Sequence, residues 1–127
     1  MDLFKSFEFG KLSLSHEQIN FASVPWTKHP AFEGVELKHI VTAQRTGGVF
    51  SYHLVRVAPF KTIGRHVHDT QLETHEVIDG DGLCIQNEKE LVYEKGVISI
   101  ILSGQQHEVQ AGENGLCLFA KFITALC

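Results

Sequence analysis

The chain has 127 residues, which is enough for one domain with a buried core. Hydrophobic residues make up 43% and charged residues 20% of it, a balance that argues against extensive disorder. The net charge of −4 gives no electrostatic reason to expect nucleic acid or an anionic membrane as partner. No secretory signal or apolar stretch of about 20 residues is evident. Three widely spaced cysteines without a C-x-x-C pattern predict a reducing, cytoplasmic location.

Residues 1–30 are predicted to form an extended N-terminal arm that packs on the barrel or on a partner subunit. Phe7 and Phe9 alternate with polar or charged residues in this arm, and residues 15–18 carry a weak capping-box pattern, the only helical hint. We expect a homodimer, because an apolar arm could cover an exposed sheet edge of a second copy. The alternative is that the arm folds back over its own barrel.

Residues 31–127 are predicted to form many short β-strands separated by glycine-rich turns. Asp79-Gly80-Asp81-Gly82 predicts a tight hairpin turn, and residues 111–115 predict another break. Strands at intervals of roughly 8 to 12 residues are typical of a sandwich or a closed barrel. The predicted strands span residues 35–41, 50–58, 72–78, 83–85, 91–93, 97–102 and 116–122.

Histidines cluster in the middle of the chain. His66 and His68 lie two residues apart, so in an extended segment they share one face and can reach one metal ion. Glu73 follows a short polar turn and could supply a third ligand from the next strand. His107 begins a later strand and could supply a fourth. Each of these side chains taken singly could instead be an exposed or structural residue.

The spacing of these residues resembles the two sequence motifs of the cupin family. The first motif has two histidines separated by one residue, a glutamate after three or four more residues, and a glycine after a further six residues. The second has a glycine, a proline, a second glycine, a histidine and an asparagine at fixed spacing. The positions of this chain that match are His66, His68, Glu73 and Gly80 in the first motif, and Gly96, Gly104 and His107 in the second.

Three positions depart from the cupin pattern. The glycine at the head of the first motif is Phe60, the proline of the second is Leu102, and its asparagine is Ala111. All four expected metal ligands are nevertheless present. The resemblance implies an all-β fold, a double-stranded β-helix or jelly-roll cupin barrel over residues 31–127, with the active site inside it.

Several further histidines and one tyrosine have more than one possible role. His75 shares a strand face with Glu73 and could transfer protons or support the metal ligands, or it could be a packed or exposed histidine. His53 and Tyr93 could line the cavity. The histidines outside the motif region, His16, His29 and His39, are expected to be structural or on the surface.

Three imidazoles and one carboxylate suit one divalent transition metal, which could be Fe, Mn, Ni, Co, Cu or Zn. Four protein ligands leave two positions on a six-coordinate ion for water, substrate or dioxygen. The first hypothesis is a metal-dependent enzyme of the dioxygenase or isomerase/lyase type that acts on a small metabolite chelating the metal through oxygen. The second is a non-catalytic module that binds or senses a small molecule.

Overall fold

The computed structural model describes residues 2–127, which fold mainly into β-strands. Asp2 caps the first short helix, because its side chain accepts a hydrogen bond from the backbone N–H of Lys5. The helices are α1 (Leu3–Glu8) and α2 (Ala43–Thr46), with a 3₁₀ turn at Phe21–Ser23. The strands are β1 (Lys11–Ser13), β2 (Gln18–Asn20), β3 (Trp26–Lys28), β4 (Val35–Val41), β5 (Ser51–Val57), β6 (Thr62–Val67), β7 (Leu72–Gln86), β8 (Lys89–Glu94), β9 (Ile98–Ile101) and β10 (Gln106–Ile123).

The two longest strands, β7 and β10, run antiparallel and take part in two sheets. The first half of β7 pairs with the second half of β10, and this pair is extended by β5, β4 and β3 on one side and β9 on the other. The other halves of β7 and β10 pair with each other and with β8 and β6. We call the first set the large sheet and the second the small sheet. This arrangement is the predicted all-β jelly-roll barrel.

The predicted hairpin turn at residues 79–82 is wrong, and so is the break at residues 111–115. Both segments lie inside long strands, where the pairing shifts register between Ala111 and Leu116 of β10. The glycines permit close backbone approach at this corner: a Cβ on Gly80 would lie 2.2 Å from the carbonyl oxygen of Gly115. The same glycines that signal a turn in the sequence therefore let paired strands bend from one sheet into the other.

The inner faces of the two sheets enclose the main core, as the alternation of the strands requires. In β5, Val55 and Val57 face inward, whereas Leu54 faces the outer side of the large sheet. In β10, Leu118 faces inward and Phe119 outward in the same way. Burial on both faces explains why apolar residues stand at successive positions, as Leu54 and Val55 do in β5 and Leu118 and Phe119 do in β10.

The N-terminal segment covers the outer face of the large sheet of its own chain. Phe4 and Phe21 are buried there against Leu54 and Phe119. The indole N–H of Trp26 donates a hydrogen bond to Glu8 at 2.8 Å and ties the end of α1 to β3. Helix α1 was not predicted, and residues 15–18 do not begin a helix. Within residues 2–127, no helix is long and apolar enough to cross a membrane.

We expect Gly80→Ala to lower the free energy of unfolding by about 3 kcal/mol, because the new Cβ meets backbone that cannot move aside. Gly96→Ala is the control: Gly96 has φ +90° against +85° at Gly80, but a Cβ there meets nothing within 4 Å. Left-handed backbone alone should cost about 1 kcal/mol at Gly96. Urea denaturation measures both. Equal losses in the two variants would contradict the close-approach explanation.

Candidate metal site

Strands of both sheets bring the four expected metal ligands together. His66 lies near the end of β6, directly opposite His107 in the register of β10. His68 lies just beyond β6, and Glu73 lies near the start of β7. One ligand atom from each of the four lies within 4.8 Å of the others, so the cluster could bind a metal ion.

The distances inside the cluster match those between ligands of one ion. Oε1 of Glu73 lies 3.2 Å from Nε2 of His107 and 3.4 Å from Nε2 of His68. Two atoms bound about 2.1 Å from one ion lie about 3.0–3.4 Å apart at octahedral or tetrahedral angles. The donor set is therefore spaced for coordination.

Backbone hydrogen bonds orient two of the imidazoles toward the centre of the cluster. Nδ1 of His66 donates to the carbonyl of Gly64 at 2.7 Å, and Nδ1 of His107 donates to that of Gln105 at 3.3 Å. These contacts leave the Nε2 lone pairs free to bind metal, as supporting hydrogen bonds do in many metal sites. Burial lowers the pKa of His66, which favours its neutral, metal-binding form.

Two buried acceptor atoms face each other at the centre of the site. Within residues 2–127, Glu73 Oε1 and His107 Nε2 are the buried side-chain nitrogen and oxygen atoms that lack a hydrogen-bond partner. Burial opposes ionisation of Glu73, but the adjacent His75 outweighs it and holds the pKa of the carboxyl well below its usual range. An ionised oxygen opposite an imidazole lone pair is unfavourable unless a cation lies between them. The residues therefore fit a metal ion.

His75 supports Glu73 and has no free nitrogen. Its Nε2 donates to Oε2 of Glu73 at 2.6 Å, and its Nδ1 lies 2.8 Å from the hydroxyl of Tyr93. Burial lowers the pKa of His75, but the Glu73 carboxylate outweighs burial and raises it to about 9. Tyr93 and His75 therefore hold Oε2 of Glu73 in place, and Oε1 of Glu73 faces the other metal ligands.

A cavity of about 340 Å³ extends from the four ligands between the sheets. Within residues 2–127, Glu73 is the only Asp, Glu, Lys or Arg in its lining. Val67 and Leu126, each 40% exposed, lie where the cavity meets solvent. Apart from the histidines, the rest of the wall is apolar and is formed by Phe32, Val35, Leu37, Val55, Ile63, Val109, Leu118, Ala120 and Phe122.

Neither His53 nor Tyr93 belongs to the lining of this cavity. His53 is fully buried beside Phe122, and Tyr93 reaches the site only through His75. His29, expected to be structural or on the surface, does line the cavity. Its Nδ1 accepts backbone N–H groups of Ala31 and Phe32, so in neutral His29 the proton is on Nε2. No local pattern marks His29, because it reaches the cavity from the loop between β3 and β4.

The barrel is similar to several solved structures. A predicted oxalate decarboxylase from Thermotoga maritima has a TM-score of 0.75 and 19% identity, over 81% of this chain and 95% of that chain. A putative ethanolamine utilization protein from Salmonella typhimurium has a TM-score of 0.73 and 15% identity, over 91% and 94%. An RmlC-like cupin from Shewanella frigidimarina has a TM-score of 0.71 and 11% identity, over 90% of each chain. The chain has the cupin fold. No protein-family model and no curated protein matches the sequence.

The cupin fold explains one of the three departures from the sequence motifs. Phe60, at the motif's glycine position, has φ +62°, in the left-handed region that favours glycine, and its side chain is exposed. The backbone therefore retains the turn even though the side chain has changed. Leu102 lies in an exposed turn before Gln105, and Ala111 is buried in the core. None of the three contributes to the ligand cluster.

We expect Tyr93→Phe to destabilise the metal-free protein by about 1–3 kcal/mol, because it removes the partner of a buried His75 nitrogen. Tyr52→Phe is the matched control: the Tyr52 hydroxyl donates at 2.8 Å to Glu76 in a more exposed position, and its loss should cost less than about 1 kcal/mol. Thermal unfolding after treatment with a chelator measures both variants. A stable Tyr93→Phe protein would contradict the positioning role of this contact.

Proposed function

We propose that the protein is a metal-dependent cupin enzyme that acts on a small, largely apolar metabolite chelating the metal through oxygen. His66, His68, Glu73 and His107 would hold one divalent transition metal. The observation that carries the proposal is the pair of buried, unpartnered acceptors, Glu73 Oε1 and His107 Nε2, 3.2 Å apart at the end of the cavity. A metal ion in this site, when bound, supplies Lewis-acid activation or, for iron, oxygen-dependent oxidation of a chelated substrate.

The lining of the cavity supports the choice of substrate class. Its volume of about 340 Å³ is at the small end of the range for ligand pockets, about 300–1,000 Å³. Because His29 is the main polar group of the wall beyond the ligand cluster and His75, a sugar would leave most of its hydroxyl groups without partners. A compact molecule with an apolar body and a chelating head fits better. This favours dioxygenase-type chemistry over isomerisation of a sugar.

The surrounding residues have separate roles in this proposal. His75 and Tyr93 hold the Glu73 carboxylate in position, and both nitrogens of His75 are engaged in doing so. Phe32 and Phe122 exclude water from the ligand-facing side of the site. The Nε2–H of His29 can donate to a polar group of the substrate near the mouth. The free state of all three cysteines agrees with the expected cytoplasmic location.

A non-catalytic binding module is the second candidate, and the state of His75 favours it. With both of its nitrogens engaged, His75 offers no free acid or base at the site. Measuring oxygen uptake by the iron-loaded protein in the presence of catechol or acetylacetone distinguishes the enzyme from the binding module. Turnover with either compound would support the enzyme, whereas tight binding without uptake would support the binding module.

Metal content is the first test of the site. We expect the His66→Ala/His107→Ala variant to lose about one transition-metal ion per chain relative to wild type, measured by plasma mass spectrometry. Glu73→Gln keeps the shape of the side chain and should lose most of that metal as well. His16→Ala is the control, since His16 is exposed and far from the ligands in sequence. Circular dichroism checks that each variant is folded. Equal metal content in wild type and both site variants would overturn the proposal.

Two chelators that share a hydroxamate group and differ in their apolar part test the substrate class. We expect cobalt-loaded protein to bind benzohydroxamate about tenfold more tightly than acetohydroxamate, because only the phenyl group reaches the apolar wall. Ile63→Thr should reduce this preference, since Ile63 lines the cavity. Ile98→Thr, on the exposed side of β9, should not. Isothermal titration calorimetry measures both affinities. Equal affinity for the two chelators would argue against an apolar substrate.

A further inference from the structure

A second group of metal-ligand side chains lies outside the cavity. His39, His53 and Cys127 each offer one ligand atom, and these atoms lie within 4.8 Å of one another. We propose that these three residues form a second metal site, which takes a thiophilic ion of the zinc class. Two imidazoles and a thiolate are a ligand set that suits zinc and copper ions. The proposal is independent of the function assigned to the first cluster.

The two histidines are held side by side by strand pairing. His39 of β4 and His53 of β5 are register partners in neighbouring antiparallel strands. Their Nδ1 atoms are 2.8 Å apart, close to the separation of about 3.0–3.4 Å expected for two ligands of one ion. An ion between them would replace the proton that the two nitrogens now share.

Ser51 can hold His53 in the tautomer that metal binding needs. The Ser51 hydroxyl oxygen lies 2.7 Å from Nε2 of His53 and also accepts the backbone N–H of Leu126 at 2.7 Å. A hydroxyl oxygen has two lone pairs, so it can accept from both groups. With its proton on Nε2, His53 presents the Nδ1 lone pair toward His39. Metal-binding histidines are commonly oriented in this way by a hydrogen bond from their second nitrogen.

Backbone hydrogen bonds hold the C-terminal residues next to His39 and His53. The fold therefore places the Cys127 thiol there. Backbone groups of residues 125–127 bond in turn to the Gly48 carbonyl at 3.1 Å, to the Ser51 hydroxyl at 2.7 Å and to the N–H of Ala43 at 2.6 Å. Cys127 is exposed, so solvent and ions can reach the cluster from the side of the thiol. The site is thus built from two strands and the tail.

The proton balance of binding is simple. Burial lowers the pKa of both His39 and His53, so both imidazoles are neutral near pH 7. Burial raises the pKa of the Cys127 thiol, which therefore carries its proton in the metal-free protein. A divalent ion would form one bond to the thiolate and two to imidazole nitrogens; the proton between the two Nδ1 atoms would move to Nε2 of His39, and the thiol proton would be released to solvent.

Cobalt titration of the full chain tests the proposal, since, of the two clusters that residues 2–127 form, this one contains a sulfur ligand. We expect Co²⁺ to produce a near-ultraviolet thiolate-to-cobalt charge-transfer band in wild type. Cys127→Ser should abolish the band and reduce cobalt bound by about one ion per chain. His39→Ala should weaken cobalt binding at this site at least about tenfold. Cys117→Ser is the matched control and should keep the band.

The same titration separates this proposal from the proposed function. The Glu73→Gln variant should lose cobalt from the first cluster but keep the charge-transfer band. If the band is absent in wild type, or survives in Cys127→Ser, the second site is overturned, whatever happens at the first. The Cys127 side chain is exposed, so we expect its replacement to leave the fold intact, and circular dichroism checks this.

Discussion

The antiparallel pairing of β7 with β10 is the constraint on which the rest of the structure depends. These strands pair from Leu72 to Gln86 on one side and from His107 to Ile123 on the other. Because both strands belong to both sheets, every other strand of the barrel is positioned relative to them. The bend at Gly80 and Gly82 sets the angle between the sheets and hence the width of the space they enclose.

The ligand cluster follows directly from this pairing. Glu73 belongs to the large-sheet half of β7, whereas His107 belongs to the small-sheet half of β10 and lies opposite His66. The carboxylate and the imidazoles therefore approach one another from facing sheets. Their close approach buries two acceptors without partners, an arrangement that costs free energy in the metal-free protein. A cation at that point would turn this unfavourable contact into coordination bonds.

Much of the fold and the first cluster could be predicted from the sequence. The alternation in residues 35–41 and 50–58 reflects strands with one inward and one outward face, and β4 and β5 lie there. The local spacing of His66, His68 and Glu73 is informative because these residues occupy the end of one strand and the start of the next. The homodimer and the catalytic role of His75 stay predictions. The turn predicted at residues 79–82 is wrong, because a turn and a bend within paired strands require the same backbone freedom.

His39 and His53 lie outside the cupin motifs, and nothing in the local sequence indicates that they meet. His39 and His53 meet because β4 and β5 pair in one register, and a shift by one residue would turn His53 to the opposite face. Register depends on the packing of both faces of the large sheet and on the loop that joins the strands, none of which is visible in local spacing. Cys127 is brought to them by hydrogen bonds to residues more than 70 positions earlier in the chain.

Phe122 packs between His53 and His68, with ring centroids 5.7 and 5.1 Å away, so one residue of the cavity wall separates the two clusters. Ligands that lie at the end of one strand and the start of the next can be found from their spacing in the sequence. A site that depends on strand register and on the hydrogen bonds of the C-terminal residues can be found only in the folded chain.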